Sequence, residues 1–108
     1  MKAIATTGAK RTSVLPDVPT AREQGIDFEV TAWQGLFLPK DTPARIVQHL
    51  NQALSAALDL PFVRERFKAL GEDVAPPERR SPEYFAKFVA AEIGKWYGLI
   101  KASGVSAD

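Results

Sequence analysis

The chain has 108 residues, 45% of them hydrophobic and 25% charged, with a formal net charge of +1, one histidine and no cysteine. That length allows at most one ordinary domain, which would bury roughly two-thirds of its unfolded surface if complete. The balanced charge excludes a long-range pull toward nucleic acid or an anionic membrane, and the missing cysteines exclude disulfides and thiolate metal sites.

Lys2 to Thr7 reads as a short strand with no turn or cap ahead of it, as an element begins inside a larger fold. No apolar run approaches the roughly 20 residues that span a bilayer. Met1 to Gly8 carries one early Lys but no apolar core after it, so no signal peptide is expected, and the chain as written would stay in the cytoplasm. Gly8 to Val14 is polar. Next comes Leu15-Pro16-Asp17-Val18-Pro19-Thr20-Ala21-Arg22-Glu23-Gln24-Gly25. Proline fixes φ near −65° at positions 16 and 19 and pushes each preceding residue into extended geometry. Thr20 can cap a helix over Thr20 to Gln24, with Glu23 reaching back to close a capping box and Gly25 ending it in the left-handed conformation.

Phe28 to Trp33 is rich in β-branched and aromatic residues and predicts a strand. Gly35 to Leu38 turns continuously apolar before Pro39, as a strand buried on both faces would. Thr42-Pro43 supplies a capping hydroxyl and a proline at the first helical position. Ile46, Val47, Leu50, Ala53, Leu54, Ala57 and Leu58 follow as an apolar stripe at helical spacing. A second helix is expected from Pro61 to Leu70, with Phe62, Val63, Phe67 and Leu70 inward and Gly71 closing it. After a proline-containing loop over Ala75 to Arg80, Ser81-Pro82 opens a last helix with Phe85, Phe88, Val89, Ile93, Trp96 and Ile100 on one face, ended by Gly104. The apolar stripes are wide for so few elements: either a small α/β domain covers itself, or these faces expect a partner.

Chemistry-bearing residues are sparse. His49 falls on the polar side of its helix, and with one histidine and no cysteine a zinc site of usual composition cannot be assembled. No serine has a nucleophile-elbow context, and no Gly-rich phosphate loop is present. Asp17, between two prolines, has two readings: it bonds the backbone two residues on, as turn aspartates do, or its side chain is held ready for a ligand donor. Trp33-Gln34-Gly35 likewise reads either as core plus a bulge or as an aromatic face, an amide and a point of close backbone approach.

The run Val14-Leu15-Pro16-Asp17-Val18-Pro19-Thr20, with Glu23 and Gly25, resembles a signature of Bug-type receptors, the periplasmic solute-binding proteins of tripartite tricarboxylate transporters. The likeness continues through Ala32-Trp33, Gly35-Leu36, Pro39, Thr42-Pro43-Ala44, Ile46-Val47, Leu50-Asn51 and Val63-Arg64-Glu65-Arg66. It closes with Leu70-Gly71, Ser81-Pro82-Glu83, Phe85, Glu92, Trp96, Ile100-Lys101 and Gly104, covering nearly the whole chain. The resemblance implies an α/β fold: the C-terminal third of a type II periplasmic-binding-protein, or Venus-flytrap, architecture, with a few strands plus three to four helices. Residues 1–27 would be the end of the second lobe (strand, Pro-rich corner, short helix), and residues 28–108 the crossing strand and C-terminal helices of the first lobe. It further implies a periplasmic receptor with no catalysis and no cofactor, a small organic acid as ligand and membrane transporter subunits as partners. The family's signal and most of its ligand-binding loops lie upstream of the matched region. Leu60 stands where relatives usually place an aspartate cap, with Asp59 one residue early.

Family ligands are held by backbone N–H groups, hydroxyls and bridging waters. Carried over to this chain, the ligand-binding candidates are Asp17, Val18, Pro19, Trp33 and Gln34; no metal ligand or catalytic residue is expected. The alternative is an autonomous helical module that binds no ligand and forms a homodimer through Phe85, Phe88 and Trp96.

Overall fold

Proline at the first helical turn starts two of the α-helices, where its missing N–H would have had no partner and its φ is already helical. In a computed structural model, which describes residues 2–104, α1 spans Ala44–Leu58, α2 spans Pro61–Leu70 and α3 spans Pro82–Ser103. Short 3-10 turns cover Arg22–Gln24 and Pro77–Arg79. The chain forms two compact units, Met1–Asp41 with Ala57–Val74 and Thr42–Ala56 with Ala75–Asp108.

Helix ends follow the sequence closely. Ser81 accepts from the Tyr84 N–H at 3.1 Å and caps α3, and Gly104 ends it at φ 69°. Gly71 ends α2 at φ 75°, its N–H donating to the Lys68 carbonyl, while the Glu72 N–H returns to Phe67. α1 begins one residue later than Pro43, whose carbonyl accepts the first helical bonds from Ile46 and Val47. Leu60 gives α2 no side-chain cap. Asp59, one residue early, instead accepts from Arg64 at 2.7 Å.

The expected strands differ. Lys2 to Thr7, Phe28 to Trp33 and Gly35 to Leu38 form no strand among the described residues; the sole pairing is an isolated parallel bridge between Thr6 and Thr20. A strand is a property of a pair, since its backbone groups are satisfied only by a neighbour. These segments have extended sequence preferences and no ladder to join. The short helix over Thr20 to Gln24 is likewise reduced to the 3-10 turn Arg22–Gln24, closed by Gly25 at φ 83°.

In the first unit, Thr20 and Ala21 are the buried residues among those described, at 4% and 5% exposure. On α2, Val63 and Phe67 are half-buried, but Phe62 and Leu70, expected inward, are largely exposed. In the second unit, Phe85, Phe88, Val89 and Trp96 of α3 are half-buried, whereas Ile93 and Ile100 of the same predicted face are exposed. The Phe85 and Phe88 rings stack at 6.4 Å, and the Trp96 indole N–H donates to Glu92 at 3.0 Å while Lys95 lies over its ring. Arg80 pins this unit's loop to α1: its guanidinium donates to the Ala75 and Ser55 carbonyls, and its own carbonyl accepts from the Asn51 amide. The α3 glycines Gly94 and Gly98 have open space where a Cβ would sit, so neither marks a close approach.

Candidate functional site

The corner is built from residues close in sequence. Thr20 and Glu23 form the reciprocal capping box: the Thr20 N–H donates to the Glu23 carboxylate at 2.7 Å, and the Glu23 N–H donates to the Thr20 hydroxyl at 3.2 Å. Ahead of it, two stacked turns fold residues 12–18, with the Leu15 N–H donating to Thr12 and the Val18 N–H to Leu15, both at 3.1 Å. The N-terminal segment then stitches the corner from the side. The Thr6 N–H donates to Pro19 at 2.9 Å, the Ala21 N–H donates to Thr6 at 2.8 Å, and the Gln24 amide reaches the Ile4 carbonyl at 2.8 Å.

Charge is concentrated at one point. Arg11 Nε donates to both Glu23 oxygens, at 2.9 and 3.1 Å, and Arg11 Nη1 donates to the Pro16 carbonyl at 3.2 Å. The guanidinium bond, followed by the Thr20 N–H, pulls the Glu23 carboxyl from its ordinary 4.5 down to about 2. The same bond raises the Arg11 pKa, and the Asp17 charge adds to that in a smaller way. The ion pairs of Arg22 with Asp27 and Glu29 are exposed and contribute little.

Asp17 is exposed and Val18 and Pro19 are half-buried. The turn reading of Asp17 meets a covalent obstacle: the residue two on is Pro19, which has no N–H to give. Trp33 is 40% exposed and Gln34 is exposed, its amide donating to Glu72 at 3.4 Å, long for an N–H···O bond. Consecutive residues of the N-terminal segment bond to the corner and to the chain leading toward Trp33: the Thr6 N–H donates to Pro19, and the Thr7 carbonyl accepts from the Val30 N–H at 2.8 Å.

Three participants escaped sequence reasoning. Arg11 and Glu23 are twelve residues apart, and Gln34 and Glu72 thirty-eight, outside any local periodicity. The Thr6 hydroxyl is shut off from solvent with no partner among the described residues, which nothing in its sequence neighbourhood signals. Among the described residues, no cluster of three or more His, Cys, Asp or Glu could hold a metal.

The tripartite tricarboxylate transporter family receptors match residues 1–105, and the chain belongs to that family. Among curated relatives, a UPF0065 protein of the TAR-I ttuE-ttuC' intergenic region of Agrobacterium vitis is 42% identical over 94% of this chain and 30% of its own length. Protein BugT of Bordetella pertussis is 32% identical over 96% of this chain and 31% of its own length. The chain thus spans about a third of the length of these relatives. Two solved structures superpose on it. MatC from Rhodopseudomonas palustris, with bound malate, has a TM-score of 0.82 and 46% identity over 89% of this chain and 33% of that one. The periplasmic binding protein BugD has a TM-score of 0.83 and 38% identity over 96% of this chain and 35% of that one. The fold is therefore that of the matched third of a periplasmic binding protein.

Proposed function

We propose that this chain forms part of a periplasmic solute-binding receptor that captures small carboxylates for a tripartite tricarboxylate transporter, without catalysis. The observation that carries this reading is the likeness to MatC, whose structure holds malate, at 46% identity over 89% of the chain. In this reading residues 1–27 close the second lobe, residues 28–108 return to the first, and the membrane subunits of the transporter are the partners.

Chemistry divides the work among the candidate residues. Asp17, when ionised, only accepts hydrogen bonds and repels another carboxylate, so it meets the hydroxyl or ammonium of a substituted acid. The Gln34 amide, spending its donor on one long bond, can turn a donor toward the acid's carboxylate. The Val18 N–H is committed to Leu15, so Val18 and Pro19 supply shape, and Trp33 supplies an aromatic face.

Thermal unfolding followed by circular dichroism, with millimolar mono-, di- and tricarboxylates, tests the proposal. An acid present at 100 times its dissociation constant adds about 2.7 kcal/mol to the folded state, a visible rise in melting temperature. A melt that no acid shifts would overturn binding by this chain.

A further inference from the structure

Arg11 lies outside the corner motif, yet its bonds bracket the three candidate residues of that motif. From one side its Nη1 holds the Pro16 carbonyl at 3.2 Å. From the other its Nε holds the Glu23 carboxylate, which in turn accepts the Thr20 N–H at 2.7 Å. Pro16 and Thr20 are the residues immediately before and after Asp17-Val18-Pro19. The guanidinium therefore closes a ring from the Pro16 carbonyl through Arg11 and Glu23 to the Thr20 amide, and the three-residue tip stands on that ring. The tip has a backbone tie as well, the Thr6 N–H donating to the Pro19 carbonyl at 2.9 Å.

We propose that Arg11 is a positioning residue for the carboxylate site: it braces the corner so that Asp17, Val18 and Pro19 face a ligand in one fixed geometry. The ligand half of this statement rests on the site proposed above. Two features of the ring separate bracing from plain ion pairing. The bonds leave two different nitrogens of one rigid plane, Nε and Nη1, whose spacing and angle are fixed, whereas an ammonium gathers its three donors on one rotating nitrogen and fixes neither. The pair is also exposed, with side-chain exposures of 44% and 46%, and exposed pairs contribute little to stability. What Arg11 supplies is shape, and its loss is to be read at the tip rather than in the melt.

The test uses the full chain, isotopically labelled, as wild type, Arg11→Lys and Arg11→Met. Amide resonances of Asp17, Val18 and Thr20 are followed by NMR while malate and succinate are titrated in. Both variants are expected to displace these three amides and to weaken acid binding about tenfold through lost preorganisation. At neutral pH the melting temperature is expected to fall only by the share of the Glu23 stabilisation that Arg11 supplies, small for an exposed pair, so the amides rather than the melt read the brace. Unmoved amides in Arg11→Met overturn the brace, and so does Arg11→Lys behaving as wild type, because charge alone would then suffice. If the wild type binds neither acid while the amides still move, the site proposed above falls, and the ligand-positioning role with it. Should Arg11→Met melt the chain, Glu23→Gln replaces it. That variant keeps an acceptor for the Thr20 amide but lacks the charge Arg11 grips, and it must displace the Asp17 and Val18 amides for the proposal to stand.

Discussion

Residues 11–25 contain two prolines and residues 28–39 end in one, and the second stretch is the more apolar, yet they are held in opposite ways. The corner is tied by its own turns, a capping box, a two-way guanidinium and three bonds to the N-terminal segment. It contains Thr20 and Ala21, the two buried residues among those described. The later stretch is anchored at Val30 and Gln34 and leaves Phe28, Trp33, Leu36, Phe37 and Leu38 between 40% and 67% exposed. Hydrophobicity sets how much a segment gains from a partner; short-range hydrogen bonding sets whether it has a shape without one.

The strongest way to break the corner is from below. Gly71 sits at φ 75°, and a Cβ there would lie 2.8 Å from Val14 Cγ2. Valine is stiff at χ1 and cannot swing aside cheaply, so Gly71→Ala combines left-handed strain with overpacking and should cost about 2–4 kcal/mol. Gly25→Ala, at φ 83° with nothing within 4 Å of its Cβ, carries the strain alone and should cost about 1–2 kcal/mol. Urea unfolding of the pair isolates the Val14 contact as their difference; equal losses would show that the contact relaxes freely.

Next is the cap. Thr20→Ala removes the hydroxyl that accepts the Glu23 N–H, and should cost about 1 kcal/mol by chemical denaturation. A loss below measurement would mean that the bonds left in place, the Thr20 N–H to Glu23 and the ties to Arg11 and the N-terminal segment, hold the turn without the hydroxyl.

Acid probes the same box through its other half. The Glu23 carboxyl, at about 2 in the folded chain, lies below its ordinary 4.5. The unfolded chain therefore takes up this proton first, and the stability contributed by ionised Glu23 is complete above 4.5 and disappears as pH falls toward 2. Arg11→Met removes the main cause of the depression, so the carboxyl titrates closer to its ordinary value and much of that pH dependence goes with it. Melting temperatures measured from pH 2 to 6 on wild type and variant check this; parallel curves would exclude Arg11 as the cause.

How much could be read in advance follows the same division. The Thr20–Glu23 box, the Ser81 cap and the left-handed Gly25, Gly71 and Gly104 were all legible, because each depends on residues within about four positions. The family was legible for a related reason, since its signature lies in those short motifs. The strands were not. β-Branched and aromatic residues at 28–38 encode a preference for pleated structure, but pairing needs a second strand, and the preference cannot name one. At the candidate site, Asp17 to Pro19 and Trp33-Gln34 could be singled out locally. Arg11 could not, because its partner Glu23 is twelve residues away across a bend whose angle no periodicity encodes.

The smallest expected effect draws the comparison most sharply. Leu36 is a large apolar side chain and would rank among the costliest to replace if hydrophobicity alone decided stability. It is 67% exposed, so Leu36→Ser should change the unfolding free energy by no more than about 0.5 kcal/mol, less than the loss of one hydroxyl at Thr20. The solubility limit should rise at the same time, since an exposed leucine beside Phe37 and Leu38 favours association over folding. A loss of about 2 kcal/mol or more would be the value for a buried leucine. Dilution would then separate its two sources: a loss that shrinks as the protein is diluted places Leu36 against another copy, and one that does not places it in the core of this chain.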